Sequence, residues 1–349
     1  MPCGLIKERI FTPKDQRTPF VQSASIFQDT VIRCVRYAFA EMPSKIGKVF
    51  FCKEVSLPFQ RFRMARHGFF RKPMFWKEVN RNGLKGIYAI VDETRRPDFV
   101  LYYSHGGGFS MGSAYFYLEF LLVWLGMLKD AGYDNPALFA LDYTLVPEAT
   151  YPTQVQQTLA GYKYCLSIID DSSRICVSGD SAGATLVLSL LLCLSDYSTL
   201  KNKMPGLAIA ISPWAAIISP KNQNTPSDYL NAESLHLYGS QYIGEKASAD
   251  DSLVSPGRCK DLSWWRRASP TAGWFFIYGA EEVFAPETLD LVALLKKANL
   301  QVEEYGEPGW VHAWPVVKLF LCNSREERTS GLQRMVDVTS QRIPPKKSS

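Results

Sequence analysis

At 349 residues, with 46% hydrophobic and 21% charged residues, the chain has the make-up of a globular protein able to bury a large core. That composition excludes disordered, collagen-like and coiled-coil classes, and a net charge of +5 is too mild to point to nucleic acid. The basic excess is local. Residues 1–80 hold 15 Lys/Arg against 6 Asp/Glu, and the remainder holds 24 against 28, so its role belongs to the N-terminal segment.

Taken in chain order, Met1 to Arg9 lacks the apolar run of a secretory leader. The most apolar stretches, Leu121–Leu128 and Leu186–Leu194, fall far short of the ~18–20 residues of a spanning helix. Eight cysteines contain no Cys-x-x-Cys pair and suggest no zinc framework, and Cys176 and Cys193 sit in apolar runs as core thiols would. These features lead to the expectation of a reduced, soluble, cytoplasmic protein without a metal.

Ile26–Ala40 is amphipathic, and Arg61–Lys72 interleaves cations with aromatics. Short apolar runs then predict strands at Phe99–Ser104, Ala137–Asp142, Arg174–Ser178, Leu207–Ile211 and Trp274–Tyr278. Between them, helices are predicted at Tyr115–Leu128, Pro152–Ile169, Ala182–Leu194 and Pro286–Ala298. Such alternation implies an α/β fold, a mostly parallel central sheet flanked by helices, with catalytic groups at the carboxyl ends of the strands. Residues 214–265 show no clear strand, and Ser324 with Glu327 marks the start of a last helix over 325–340. The expected organisation is an N-terminal helical cap over 1–84, a core over 85–325 to which 214–265 adds further cap, and a C-terminal helix and tail over 326–349.

The chemistry centres on Gly179-Asp180-Ser181-Ala182-Gly183, a G-x-S-x-G sequence between a predicted strand and a predicted helix. A serine there rides a strained turn that needs small neighbours and lifts its hydroxyl toward a base. His105-Gly106-Gly107-Gly108 directly follows the strand Phe99–Ser104. The N–H groups of Gly106, Gly107 and Ala182 are the expected oxyanion donors, and His105 is expected to shape the loop. Of four histidines, His312 follows the last predicted strand and fits the order Ser, acid, His, with His236 in reserve. Glu281 and Glu282 both follow the strand Trp274–Tyr278 as candidate acids.

Together with Asp142–Glu148, Tyr151-Pro152, Ser212-Pro213-Trp214, Val254-Ser255-Pro256 and His312-Ala313-Trp314, these motifs resemble the hormone-sensitive-lipase-type branch of α/β-hydrolases. Within it the chain looks closest to fungal esterases of the steryl acetyl hydrolase kind. The resemblance implies an α/β-hydrolase fold, a serine esterase of hydrophobic, short-acyl esters, no cofactor, and a cap over the site built partly from N-terminal residues. It places Glu282 as the acid, three residues after the glycine that ends the strand, where the family more often has Asp.

For the basic-aromatic segment, stacking on nucleic acid is disfavoured by the absence of a matching fold. A peripheral membrane contact through residues 61–77 is a second reading. The preferred one is a cap whose aromatics cover the substrate, which makes Phe69, Phe70, Trp76 and Trp214 candidate substrate contacts. Two rival functions share these motifs. One is acyl transfer or ring closure from the same acyl-enzyme, and the other is a non-catalytic binding protein.

Overall fold

Residues 2–68 and 74–346 are described by the computed structural model. Five helices come first: α1 (Pro2–Ile6), α2 (Pro19–Ser23), α3 (Ile26–Glu41), α4 (Ser44–Phe51) and α5 (Lys53–Arg66). A full capping box starts α3, with Ser25 and Gln28 satisfying each other's backbone N–H. The sheet then opens with a hairpin, β1 (Phe75–Arg81) and β2 (Leu84–Ile90), turned at Asn82-Gly83 with φ of 49° and 80°. An Asn-Gly pair supplies those positive angles at little strain.

The core continues as β3 (Phe99–Ser104), α6 (Leu118–Asp130), β4 (Pro136–Leu141), α7 (Thr153–Ile168), β5 (Ile175–Asp180), α8 (Ala182–Asp196) and β6 (Leu207–Ile211). After it come α9 (Ala232–Ile243), α10 (Leu262–Arg267), β7 (Trp274–Gly279), α11 (Ala285–Lys297), β8 (Val302–Glu307), α12 (Trp314–Leu321) and α13 (Arg325–Arg342). Ser324 caps α13 by accepting the Glu327 N–H at 3.1 Å.

The strands form one eight-stranded sheet in the order β1-β2-β4-β3-β5-β6-β7-β8. β1 and β2 are antiparallel to their neighbours and every other pairing is parallel. Helices cover both faces, so β3 to β7 are buried along their whole lengths and read as continuous apolar runs. One core layer gathers α7, α8 and the inner residues of 214–265, and the other gathers α6, α12 and α13.

Each predicted strand and helix is present within a few residues of its predicted ends. The elements not anticipated include the hairpin β1–β2, the half-buried edge strand β8 and the short helix α12. The segment 214–265 holds α9 and α10 and no strand. Its Ser234 hydroxyl donates to the Phe39 carbonyl of α3 at 2.8 Å, which ties that segment to the N-terminal helices.

Candidate active site

Ser181 stands between the last residue of β5 and the first of α8, with φ 53° and ψ −120°. That strained geometry persists because the neighbours leave no alternative room. A Cβ on Gly183 would run into the Ser104 carbonyl, and one on Gly179 would approach the same oxygen. Glycine at both positions is therefore what lets the turn pass over β3.

Asp180 lies beneath the turn. Its carboxylate accepts hydrogen bonds from Tyr103 Oη at 2.7 Å, Tyr117 Oη at 2.7 Å and the Gly106 N–H at 2.8 Å. Burial pushes this carboxyl up, and the two hydroxyls oppose that push. The Gly106 N–H is thus already engaged, unlike in the expectation that it faces an oxyanion. Gly107 and Gly108 take positive φ of 106° and 61°, a conformation that glycine adopts without strain. His105 bonds the Gly106 carbonyl through Nδ1 at 2.7 Å and stacks on Tyr143 with centroids 4.3 Å apart. Burial holds its pKa down.

His312 sits in the loop between β8 and α12. Its Nδ1 lies 3.8 Å from Glu282 Oε2, and both side chains are buried. Glu282 Oε2 accepts the Ser212 hydroxyl at 2.6 Å and the Gly279 N–H at 2.9 Å. Ser212 in turn accepts the Ala313 N–H at 2.9 Å, so one hydroxyl ties the acid loop to the histidine loop. Burial alone would lower the His312 pKa. The Glu282 carboxylate, aided by Asp228 and Asp180, overrides it and holds the imidazole above its ordinary value. Glu281 is half-buried, and its carbonyl accepts the Thr225 hydroxyl at 2.7 Å. His236 is exposed on α9 and lines a separate surface depression.

Asp228 escaped the sequence reading. It is fully buried, and its Oδ1 accepts the N–H of Tyr229 at 2.8 Å and of His312 at 3.0 Å. Its Oδ2 accepts the Val283 N–H at 2.9 Å. One carboxylate therefore clamps the residue after Glu282 and His312 itself. An aspartate in an irregular Ser- and Asn-rich stretch looks like an ordinary loop residue, and no spacing in the sequence distinguishes it.

Ser181, His312 and Gly106 to Gly108 border a cavity of about 240 Å³. Val35, Phe39 and Phe51 from the N-terminal helices wall it on one side, and Phe116, Val316 and Phe320 on another. Trp214 is not on this wall. Its ring is buried, stacked on Phe284 at 5.6 Å, and its indole N–H is held by the Ile217 carbonyl at 3.1 Å. Trp76 is half-buried on β1 opposite Ala89 and packs against the core layer of α6 and α12. Phe69 and Phe70 lie outside the described residues. A larger hollow of about 520 Å³ beside His67, Gly68, Met74 and Arg328 contains neither Ser181 nor His312.

The sequence model of a family described as steryl acetyl hydrolase matches residues 7–313. A Schizosaccharomyces pombe protein named "Putative steryl acetyl hydrolase mug81" is 30% identical over 216 residues, covering 58% of this chain and 55% of that protein. An acetyl esterase of Salmonella enteritidis is 32% identical over 229 residues, covering 62% and 65%. The chain thus matches less than two thirds of the length of these curated relatives. Among solved structures, an esterase from the bacterial hormone-sensitive lipase family superposes with a TM-score of 0.69 at 22% identity, over 92% of this chain and 99% of that one. A hormone-sensitive lipase from a metagenome library does so with a TM-score of 0.68 at 20% identity, over 90% and 99%. The fold is therefore the α/β-hydrolase fold of that group.

Proposed function

The chain belongs to the steryl acetyl hydrolase family, and from that premise we propose that it is a serine carboxylic-ester hydrolase acting on apolar, short-acyl esters of the acetyl type. Ser181 Oγ attacks the ester carbonyl and His312 takes its proton through Nε2, the ring nitrogen opposite the one facing Glu282. The N–H groups of Gly107, Gly108 and Ala182 hold the oxygen that becomes negative, while Gly106 stiffens the loop through its bond to Asp180. His312 then protonates the departing alcohol. Water attacks the acyl-Ser181 ester, gives its proton to His312, and releases the carboxylic acid with the hydroxyl restored. Glu282, fixed by Ser212 and Gly279, keeps the Nδ1 tautomer and stabilises the imidazolium.

The observation that carries this reading is the convergence of a strained serine and a carboxylate-backed histidine on one apolar cavity. A cavity of about 240 Å³ lies below the ~300–1,000 Å³ typical of drug-sized ligand sites, which supports a short acyl group. The test is turnover of p-nitrophenyl esters from acetate to laurate by the wild type and by Ser181→Ala. Wild-type activity should be greatest on the shortest chains and fall by about 10⁴-fold or more in the variant. An active Ser181→Ala enzyme would overturn the mechanism.

A further inference from the structure

Among the described residues, fifteen large hydrophobic side chains are exposed, and twelve of them lie between Ile6 and Phe62. They are ordered most clearly on α4 and α5. Ile46, Val49 and Phe50 recur at helical spacing along α4, and Val55, Phe59 and Phe62 do so along α5, each 43–63% exposed. The opposite faces are occupied. Gly47 packs on Met111, Phe51 meets Phe116 edge-on at 4.6 Å, and Leu57 and Met64 of α5 are buried. Two adjoining helices therefore carry apolar stripes on both sides, one for the core and one for something outside the chain.

The charges around the outer stripes narrow what that is. Residues 44–66 contain six Lys/Arg and a single acid, Glu54. Lys48, Lys53 and Arg63 are paired with Glu148, Glu78 and Glu119, whereas Lys45, Arg61 and Arg66 are exposed and make no ion pair among the described residues. A second copy meeting this face across a two-fold axis would set like charges against one another. An anionic bilayer complements both features, since its headgroups pair with the cations and its acyl boundary receives the apolar side chains.

We propose that the outer face of α4 and α5 docks on an anionic lipid surface. Phe51, at the end of α4, also lines the catalytic cavity, so docking sets the cavity wall directly behind the lipid-facing stripe. This surface is centred on residues 46–62, and its existence does not depend on the esterase reading.

The test is co-sedimentation of the full chain with vesicles of phosphatidylcholine alone and with about 30% phosphatidylserine, alongside sedimentation velocity without lipid. The wild type should pellet with the anionic vesicles. Phe50→Ser/Phe59→Ser should weaken binding by about tenfold or more while hydrolysing soluble p-nitrophenyl acetate at the wild-type rate, a readout that also shows the variant folded. Lys45→Glu/Arg61→Glu should weaken binding to anionic vesicles alone. Failure to pellet with either vesicle, or pelleting indifferent to the Phe50/Phe59 pair, would overturn the proposal. A dimer that the same pair abolishes would assign the face to a second copy instead.

Discussion

The sheet core and the N-terminal helices solve the problem of apolar surface in opposite ways. In the core, β3 to β7 and α8 are buried on nearly every side, and even large rings such as Trp214 and Trp265 are out of solvent. In the N-terminal segment, more polar helices bury one apolar stripe and expose another. Ser181, Glu282 and His312 are consequently held in densely packed, buried surroundings. The N-terminal helices have few buried contacts and are the part of the molecule that can respond to what touches it.

The largest expected effect lies in the core. Glu282→Gln should lower kcat by about 10³–10⁴-fold, because the neutral amide neither fixes the His312 tautomer nor stabilises its cation. The acid limb of the kcat/KM profile should also move to lower pH, since a negative charge that raises the imidazole pKa is gone. An unchanged limb would show that Glu282 does not face His312 in solution. Next, Trp214→Ala should destabilise the fold by about 3–5 kcal/mol in chemical denaturation, through lost burial and the cavity left between Phe109 and Phe284. In the same assay Phe50→Ser should change stability by only about 0.5 kcal/mol, as an exposed position. Similar losses at both sites would erase the distinction between the two regions.

A smaller and sharper effect is expected of Asp228→Asn. One amide oxygen can still accept the N–H groups of Tyr229 and His312, but the contact to Val283 is lost along with the charge. Activity should fall about tenfold, with the acid limb again displaced to lower pH. A loss of stability without any shift of the limb would reduce Asp228 to a structural role.

Much of the core was legible in the sequence because burial on both faces writes long apolar runs, and those runs mark β3 to β7. β8 escaped because Glu303, Glu304 and Glu307 break its pattern at a half-buried edge. β1 and β2 escaped although Asn82-Gly83 was a readable hairpin signal. Trp214 illustrates the converse. A tryptophan beside a motif reads equally well as a pocket wall or as core, and only its packing between Phe109 and Phe284 separates the two.

By itself the sequence determined which groups could do chemistry, since a strained serine turn, a glycine loop and a late histidine require particular residue types at particular spacings. The tertiary structure alone decided which of those groups meet. It put Glu282 within 3.8 Å of His312 while the Glu281 carbonyl bonds Thr225, and it drew the Gly106 N–H onto Asp180. It also brought Asp228 from a featureless loop to the backbone of His312. Those outcomes turn on the direction of single peptides and side chains across segments tens of residues apart, which packing sets and local patterns do not encode.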